Sequence, residues 1–488
     1  MNDSKQNQHP PAVQALLAAR DANGDAARST ALAKIHARGA LTARERIAAL
    51  VDADSFVEYG LLANSVNPEV DAPADGIVTG LGAVDGHPVA VLSYDYSVYA
   101  GSQGDIGHGK QARLFELVEK LRCPLVMFLE GGGARAQDIL HMRSGNNDDF
   151  VRLPRLVGRV PIVSLVLGRA FAGHGIQAGM SDLVIATHSA CLGVAGPPLV
   201  ESAFGTRLTP EELGPAGLHY GLGVIDVLVE RDAEAIASAR QYLELMLARR
   251  IAHRGEVAAV PALREVIPDN PRMAYDVRKI IALVADPDSV YEVKRGFAGN
   301  LVACLCRIGG HVTGIIANQP GVYAGTIDAP AANKMEDFIR LCDDKGIPLL
   351  FLVDSPGFLI GPDAEKQAVV KHGSRCVVAL ARARVPILQV VLRKSYGMSS
   401  LVMGNRMWGG VLSVAWPGAE FGVMGLEGAG KLSGGGDSIK AKEAVARLTA
   451  RGTALGMARS FEFDDVIDPA ETRRLLFLTL NLINAEPA

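Results

Sequence analysis

Apolar runs of six or seven residues punctuate the chain, each opening on a proline: Pro88–Ser93, Pro124–Leu129, Pro161–Leu167, Pro348–Val353 and Pro386–Leu392. They lack polar–apolar alternation, so both faces are expected to be buried, as in the central strands of a parallel sheet. Segments with helical spacing, Lys110–Leu121 and Asn333–Asp344, lie among them. Strands alternating with helices predict βαβ units and an α/β fold. The turns after the strands then gather along one sheet edge, where such folds carry their sites.

The pattern occurs twice. Val98-Tyr99-Ala100-Gly101-Ser102 corresponds to Val322-Tyr323-Ala324-Gly325-Thr326, an offset of 224 residues. Lys110 and Lys334, Pro124 and Pro348, Glu130 and Asp354, and Gly133 and Gly357 keep that offset. Further on, Val160-Pro161-Ile162 meets Val385-Pro386-Ile387 at 225, and Gly193-Val194 and Gly196 meet Gly422-Val423 and Gly425 at 229. A period this long excludes a solenoid and indicates domain duplication. The expected division is 1–265 and 266–488, with a linker between Arg254 and Asp288, where Pro261, Pro268, Pro271 and Pro287 cluster. Ahead of the first copy, Val13–Leu50 is rich in Ala, Leu and Arg and reads as an appended helical arm. In it, Thr42 stands three residues before Glu45, a capping box.

Composition narrows the class. Of 488 residues, 49% are hydrophobic and 21% charged, enough to bury two cores and too apolar for wholesale disorder. A net charge of -4 with no basic arm argues against non-specific nucleic-acid binding. The six cysteines form no CxxC pair, so buried thiols in a reducing compartment are expected, and no metal centre. The opening MNDSKQNQHPP has no apolar signal core, and no apolar run reaches the length of a membrane span. The expected setting is the cytoplasm.

Three turns could carry chemistry. Gly131-Gly132-Gly133-Ala134-Arg135 follows Glu130 after an apolar run, and its glycines let backbone approach a ligand closely. Neither a phosphate loop nor a dinucleotide fingerprint fits there. Gly168 to Gly175, containing Gly173 and His174, corresponds to Leu392 to Ser399, containing Gly397, Met398 and Ser399. Backbone N–H groups at such turns can bind a developing oxyanion whatever the side chains. Asp354-Ser355-Pro356-Gly357-Phe358 repeats the first turn, so Glu130 and Asp354 form a candidate acid/base pair or else order their own turns. Ser355 lacks the context of a nucleophile elbow.

These segments together resemble the carboxyltransferase (β) subunits of biotin-dependent acyl-CoA carboxylases. The resemblance rests on Thr42–Gly60, Asp75–Val91, GGGARAQ at Gly131–Gln137, Val194–Gly205, Glu211–Asp226, VDSPGF at Val353–Phe358, RKSYG at Arg393–Gly397 and Ala415–Ala429, in order and spacing. It implies two crotonase-like domains. The N-terminal one takes acyl-CoA, its thioester carbonyl at the N–H groups of Gly173 and His174. The C-terminal one takes carboxybiotin, its ureido oxygen at Gly397-Met398 or Met398-Ser399. Gly131, Gly132, Gly133, Ala134, Arg135, Gly357 and Phe358 fall at the substrate-binding turns. It further implies carboxyl transfer through two oxyanion holes with no side-chain base, and a homo-oligomer, usually a hexamer. Biotin arrives on a partner, a biotin carboxylase or biotin carboxyl carrier subunit, because the chain has no attachment motif. Many relatives carry Gly-Gly where this chain has Gly173-His174, so the imidazole is expected to narrow the space above the turn. Two other readings are a biotin-independent crotonase-like acyl-CoA enzyme, such as a decarboxylase, and a non-catalytic carboxylase subunit.

Overall fold

The computed structural model describes residues 9–143, 147–248, 257–423 and 450–484. Gly425, the end of the Ala415–Ala429 segment and Arg254 lie outside them. The chain divides into two compact units, Met1–Leu247 and Ala248–Ala488.

The first unit holds strands β1 (Val57–Tyr59), β2 (Ile77–Val84), β3 (His87–Tyr94), β4 (Leu125–Phe128), β5 (Ile162–Val166), β6 (Arg169–Phe171), β7 (Leu183–Thr187), β8 (Cys191–Gly193) and β9 (Val227–Val229). Seven form one sheet in the order β1-β2-β3-β4-β5-β7-β9, and β6 pairs with β8. The first three run antiparallel and the rest parallel. The central parallel strands β4 and β5 lie on the apolar runs and are buried on both faces: every residue of Leu125–Phe128 and Ile162–Val166 is inaccessible. The helix Asp105–Leu121 lays Leu114, Phe115 and Val118 on this sheet.

The second unit repeats the plan with β10 (Tyr291–Val293), β11 (Leu301–Ile308), β12 (His311–Asn318), β13 (Leu349–Ser355), β14 (Ile387–Tyr396), β15 (Leu412–Ala415), β16 (Glu420–Gly422) and β17 (Asp465–Val466). The order β10-β11-β12-β13-β14-β15-β17 matches the first sheet strand for strand, with β16 on β14 as β8 is on β6. Register repeats too: Leu125 pairs with Ile162, and Leu349 with Ile387. Among the described residues, β14 runs unbroken where β5 and β6 are separate, and β13 extends to Ser355 where β4 ends at Phe128.

The expected linker is not a linker. Leu263, Val277, Ile280, Ile281 and Val284 are buried in the core of the second unit with Val302, Ile315 and Leu350. The prolines mark irregular turns of a packed segment, because the apolar residues between them have a sheet face to cover. Both long helices start earlier than expected, at Asp105 and Ala329. For the second the overlooked signal is Asp328, whose carboxylate caps the Ala331 N–H ahead of Pro330. Thr42 and Glu45 form the expected capping box. All six cysteines are buried thiols outside any disulfide. Among the described residues no helix is long and apolar enough to cross a membrane.

Candidate functional site

The hydrogen bonds around the turns repeat as closely as the strands. Gln103 N–H donates to Gly133 O at 2.8 Å and Arg135 N–H to Gln103 O at 2.8 Å. In the second unit Ile327 N–H donates to Gly357 O at 3.0 Å and Leu359 N–H to Ile327 O at 2.8 Å, all at offset 224. Tyr99-Ala100-Gly101 and Tyr323-Ala324-Gly325 are left-handed at all six residues. Glycine is required at the third position, since a Cβ on Gly101 or Gly325 would strike the carbonyl oxygen of Glu130 or Asp354 at 2.0 and 2.5 Å. Four non-glycine residues in that conformation store strain at matched places beside both candidate turns.

At the second pair of turns the offset is 225. Ala172 (φ 55) donates its N–H to Gly193 O at 3.0 Å, and Gly397 (φ 59) donates to Gly422 O at 2.8 Å. The Gly397 N–H is therefore already used, which removes Gly397 from the expected donors. The equivalents of Gly173 and His174 are Met398 and Ser399. Among the described residues no protein group accepts from the N–H of Gly173, His174, Met398 or Ser399. Each pair opens a short helix, Gly173–Gly179 or Ser399–Val402, whose first amides have no intrahelical acceptor.

The side chains diverge from expectation. The His174 imidazole points inward and is wholly buried. Its Nε2 lies 3.1 Å from Gly101 O and its Nδ1 3.3 Å from Phe171 O, with the ring edge-on to Tyr94. It does not narrow the space above the turn. Burial lowers its pKa to about 4 against the pull of the two carbonyls, so the imidazole is neutral near pH 7. Met398, by contrast, is 59% exposed. The Ser399 hydroxyl donates inward to Tyr396 O at 2.7 Å.

Of the first glycine turn, Gly132 and Ala134 are exposed. Gly131 is packed under the loop, where a Cβ would meet Gly101 O at 2.2 Å and His174 Nε2 at 2.6 Å. Gly133, at φ 98, gives its carbonyl to Gln103. The Arg135 guanidinium is inaccessible and bound to Asp75 and Asp138. Gly357, at φ 136, has open space around it, and Phe358 is half-buried against Gly373.

Glu130 and Asp354 are not a free acid/base pair. Glu130 accepts from Arg46 at 2.7 Å, and Arg46 also holds Asp232 at 3.0 Å. Asp354 accepts from Arg393 at 3.0 Å and from the Lys394 N–H at 3.3 Å. Both carboxylates order the turns behind the donor pairs. Lys110 and Lys334 are a second matched pair. Lys110 donates to Ala74 O and Ile77 O, and Lys334 to Lys294 O, Phe297 O and Leu301 O. The sequence pattern did not single out Gln103, Gln111 and Gln177, buried behind the first donor pair. Comparing copies finds them: their counterparts are Ile327, Met335 and Val402.

Two α/β units of one topology, each offering an unpaired amide pair at the same turn, define a duplicated enzyme of the crotonase type. The chain belongs to the carboxyl transferase domain family, whose model matches residues 34–487. It is 35% identical to the methylmalonyl-CoA carboxyltransferase 12S subunit of Propionibacterium freudenreichii subsp. shermanii, covering 92% of this chain and 90% of that one. It is 36% identical to the biotin-dependent acetyl-/propionyl-coenzyme A carboxylase beta5 subunit of Mycobacterium tuberculosis, over 82% and 76%. It is 32% identical to the methylmalonyl-CoA decarboxylase subunit alpha of Veillonella parvula, over 92% and 91%. The crystal structure of transcarboxylase 12S, a hexamer with methylmalonyl-coenzyme A and methylmalonic acid bound, superposes with a TM-score of 0.91 at 33% identity, covering 99% and 98%. A single-chain, multi-domain long-chain acyl-CoA carboxylase matches at 37% identity and a TM-score of 0.89 over 97% of this chain, which spans 49% of its length.

Proposed function

We propose that the chain is the carboxyltransferase component of a biotin-dependent acyl-CoA carboxylase, acting between carboxybiotin and the α-carbon of an acyl-CoA. The observation that carries this reading is the matched pair of turns, each with two unpaired amides, one in each repeat. Transfer between two carbonyl compounds that both become enolates needs two places where negative oxygen is stabilised. In this reading Gly173 and His174 bind the thioester carbonyl, with Gly132 and Ala134 exposed beside them. Met398 and Ser399 bind the ureido oxygen, with Gly357 and Phe358 lining the approach. A turn with two free donors and an exposed Met398 fits the planar ureido carbonyl of biotin. Biotin, when bound, supplies the activated carboxyl group and a basic ureido nitrogen, so no protein base is needed. The chain's own residues orient both carbonyls and hold charge on their oxygens. Each donor lost would cost on the order of 3 kcal/mol of barrier.

The biotin-dependent and CoA-binding relatives support this reading, and the 12S hexamer supports a homo-oligomer. Biotin comes on a partner, a biotin carboxylase or carrier subunit. The test is turnover of malonyl-CoA or methylmalonyl-CoA with and without free biotin. Carboxyl transfer that requires biotin is expected. Loss of CO₂ that ignores biotin favours the second reading, a decarboxylase, which the Veillonella relative makes specific. No turnover and no CoA-thioester binding would overturn both and leave a non-catalytic subunit.

A further inference from the structure

Behind the first donor pair the fold buries a group of polar side chains that its own duplicate does without. Gln103 Nε2 donates to the Tyr94 hydroxyl at 2.8 Å. Gln177, on the helix that Gly173 opens, donates to Gln111 Oε1 at 2.8 Å on the helix Asp105–Leu121. His174 reaches Gly101 O at 3.1 Å, under the strained Tyr99–Gly101 loop. A Cβ on Gly173 would meet Gln103 Oε1 at 2.4 Å, so this glutamine lies directly against the donor turn. Tyr94, Gln111, His174 and Gln177 are all within 1% of complete burial. Gln111 Nε2 and Gln177 Oε1 have no hydrogen-bond partner, so the arrangement is kept despite a desolvation cost.

The second unit is the internal control. Its equivalents of Gln103, Gln111 and Gln177 are Ile327, Met335 and Val402, all fully buried. Its equivalents of Tyr94 and His174 are Asn318 and Ser399. There the carbonyl of Gly325 is satisfied by Asn318 at 3.1 Å, without any side chain from the donor turn. The same backbone is thus built with apolar side chains at three positions in one unit where the other has three glutamines. The fold does not require the polar version, and buried polar residues that break a local rule mark places where function sets the choice.

We propose that Tyr94, Gln103, Gln111, His174 and Gln177 are positioning residues that lock the Gly173–His174 amides to the helix Asp105–Leu121 and to the loop at Gly101, a device confined to the acyl-CoA unit. The proposal rests on the assignment of that turn to the thioester. Directional bonds fix a rotation about the helix axis that apolar contacts leave loose. The N-terminal donors therefore keep one orientation while a CoA thioester binds and its carbonyl oxygen gains charge.

The test replaces the polar pair by that of the other unit, as Gln111→Met with Gln177→Val, and changes His174 to Ser and, conservatively, to Gln, which keeps a donor near the Nε2 position. With the full chain and a carboxylated acyl-CoA, kcat is expected to fall at least tenfold in the double variant and in H174S. KM is expected to stay within about threefold, Tm to stay unchanged or rise, and H174Q to recover most of the loss. A double variant that keeps its kcat within twofold overturns the proposal, as does a loss of kcat that only tracks a fall in Tm. Crystal structures of the wild type and double variant form a second arm. A reoriented Gly173–His174 turn supports the proposal and an unmoved one overturns it, even should the wild type fail to turn over CoA thioesters, which would overturn the proposed function instead.

Discussion

His174 shows how much a single residue's environment decides. In the sequence it reads as an obstruction above a glycine turn. In the fold its backbone N–H has no protein acceptor among the described residues and its ring faces in, clamped between two carbonyls and Tyr94. Its pKa of about 4 lies below the unfolded value of about 6.5, so the unfolded chain binds the extra proton between those limits. Stability attributable to this residue is complete above pH 6.5 and is lost as pH falls towards 4, by up to about 3 kcal/mol. Denaturant midpoints measured from pH 7 to pH 4.5 are expected to fall less steeply in H174Q than in the wild type. Gly173 carries the complementary prediction. In G173A the new methyl group must displace Gln103 or Phe150, which stand 2.4 and 2.9 Å from its position. We expect kcat to drop about a hundredfold with little change in KM, as for loss of one oxyanion donor. An unaltered kcat would show that this amide does not meet the reacting carbonyl.

At the scale of elements, buried charges tie loops to strands in the same way in both units. Lys334 satisfies three carbonyls and Lys110 two, and burial lowers the pKa of each to about 8. Lys334→Met would take a donor from each of those carbonyls inside the second unit, although Lys294 O keeps the Phe297 N–H. A destabilisation of about 2–4 kcal/mol is expected, read as a fall in the calorimetric transition temperature. Arg46 plays a related part for the arm, joining the helix Ala43–Leu50 to Glu130 and Asp232. R46L should cost roughly 3–5 kcal/mol, because two buried carboxylates lose their partner. If R46L unfolds no more easily than the wild type, the arm is not anchored there.

For the whole molecule the prediction is assembly. Light scattering on the purified chain is expected to give six copies of the 51.5 kDa subunit. A monomer that turns over CoA thioesters would refute the need for a homo-oligomer. The duplication also gives this scale its meaning. Two topologically equal sheets place equal turns, and the differences between them, Gln111 against Met335 or His174 against Ser399, show where the units have specialised.

The sequence alone determined the parts that depend on local pattern. Apolar runs opened by proline gave the buried strands, the repeat gave two like units, and the capping box at Thr42 placed the arm's last helix, because periodicity, turn chemistry and capping act over a few residues. The carboxyltransferase resemblance was legible for the same reason, since its glycine turns are contiguous. Tertiary structure alone decided which amides are free. The Gly397 N–H is bound to Gly422 O, a residue 25 positions on, which leaves the amides of Met398 and Ser399 without a protein acceptor among the described residues. It also decided that Arg135, Glu130 and Asp354 are held by distant charges, and that His174 turns inward. Those outcomes depend on which groups meet across the fold, and hydrogen-bond partners far apart in the chain leave no local signature.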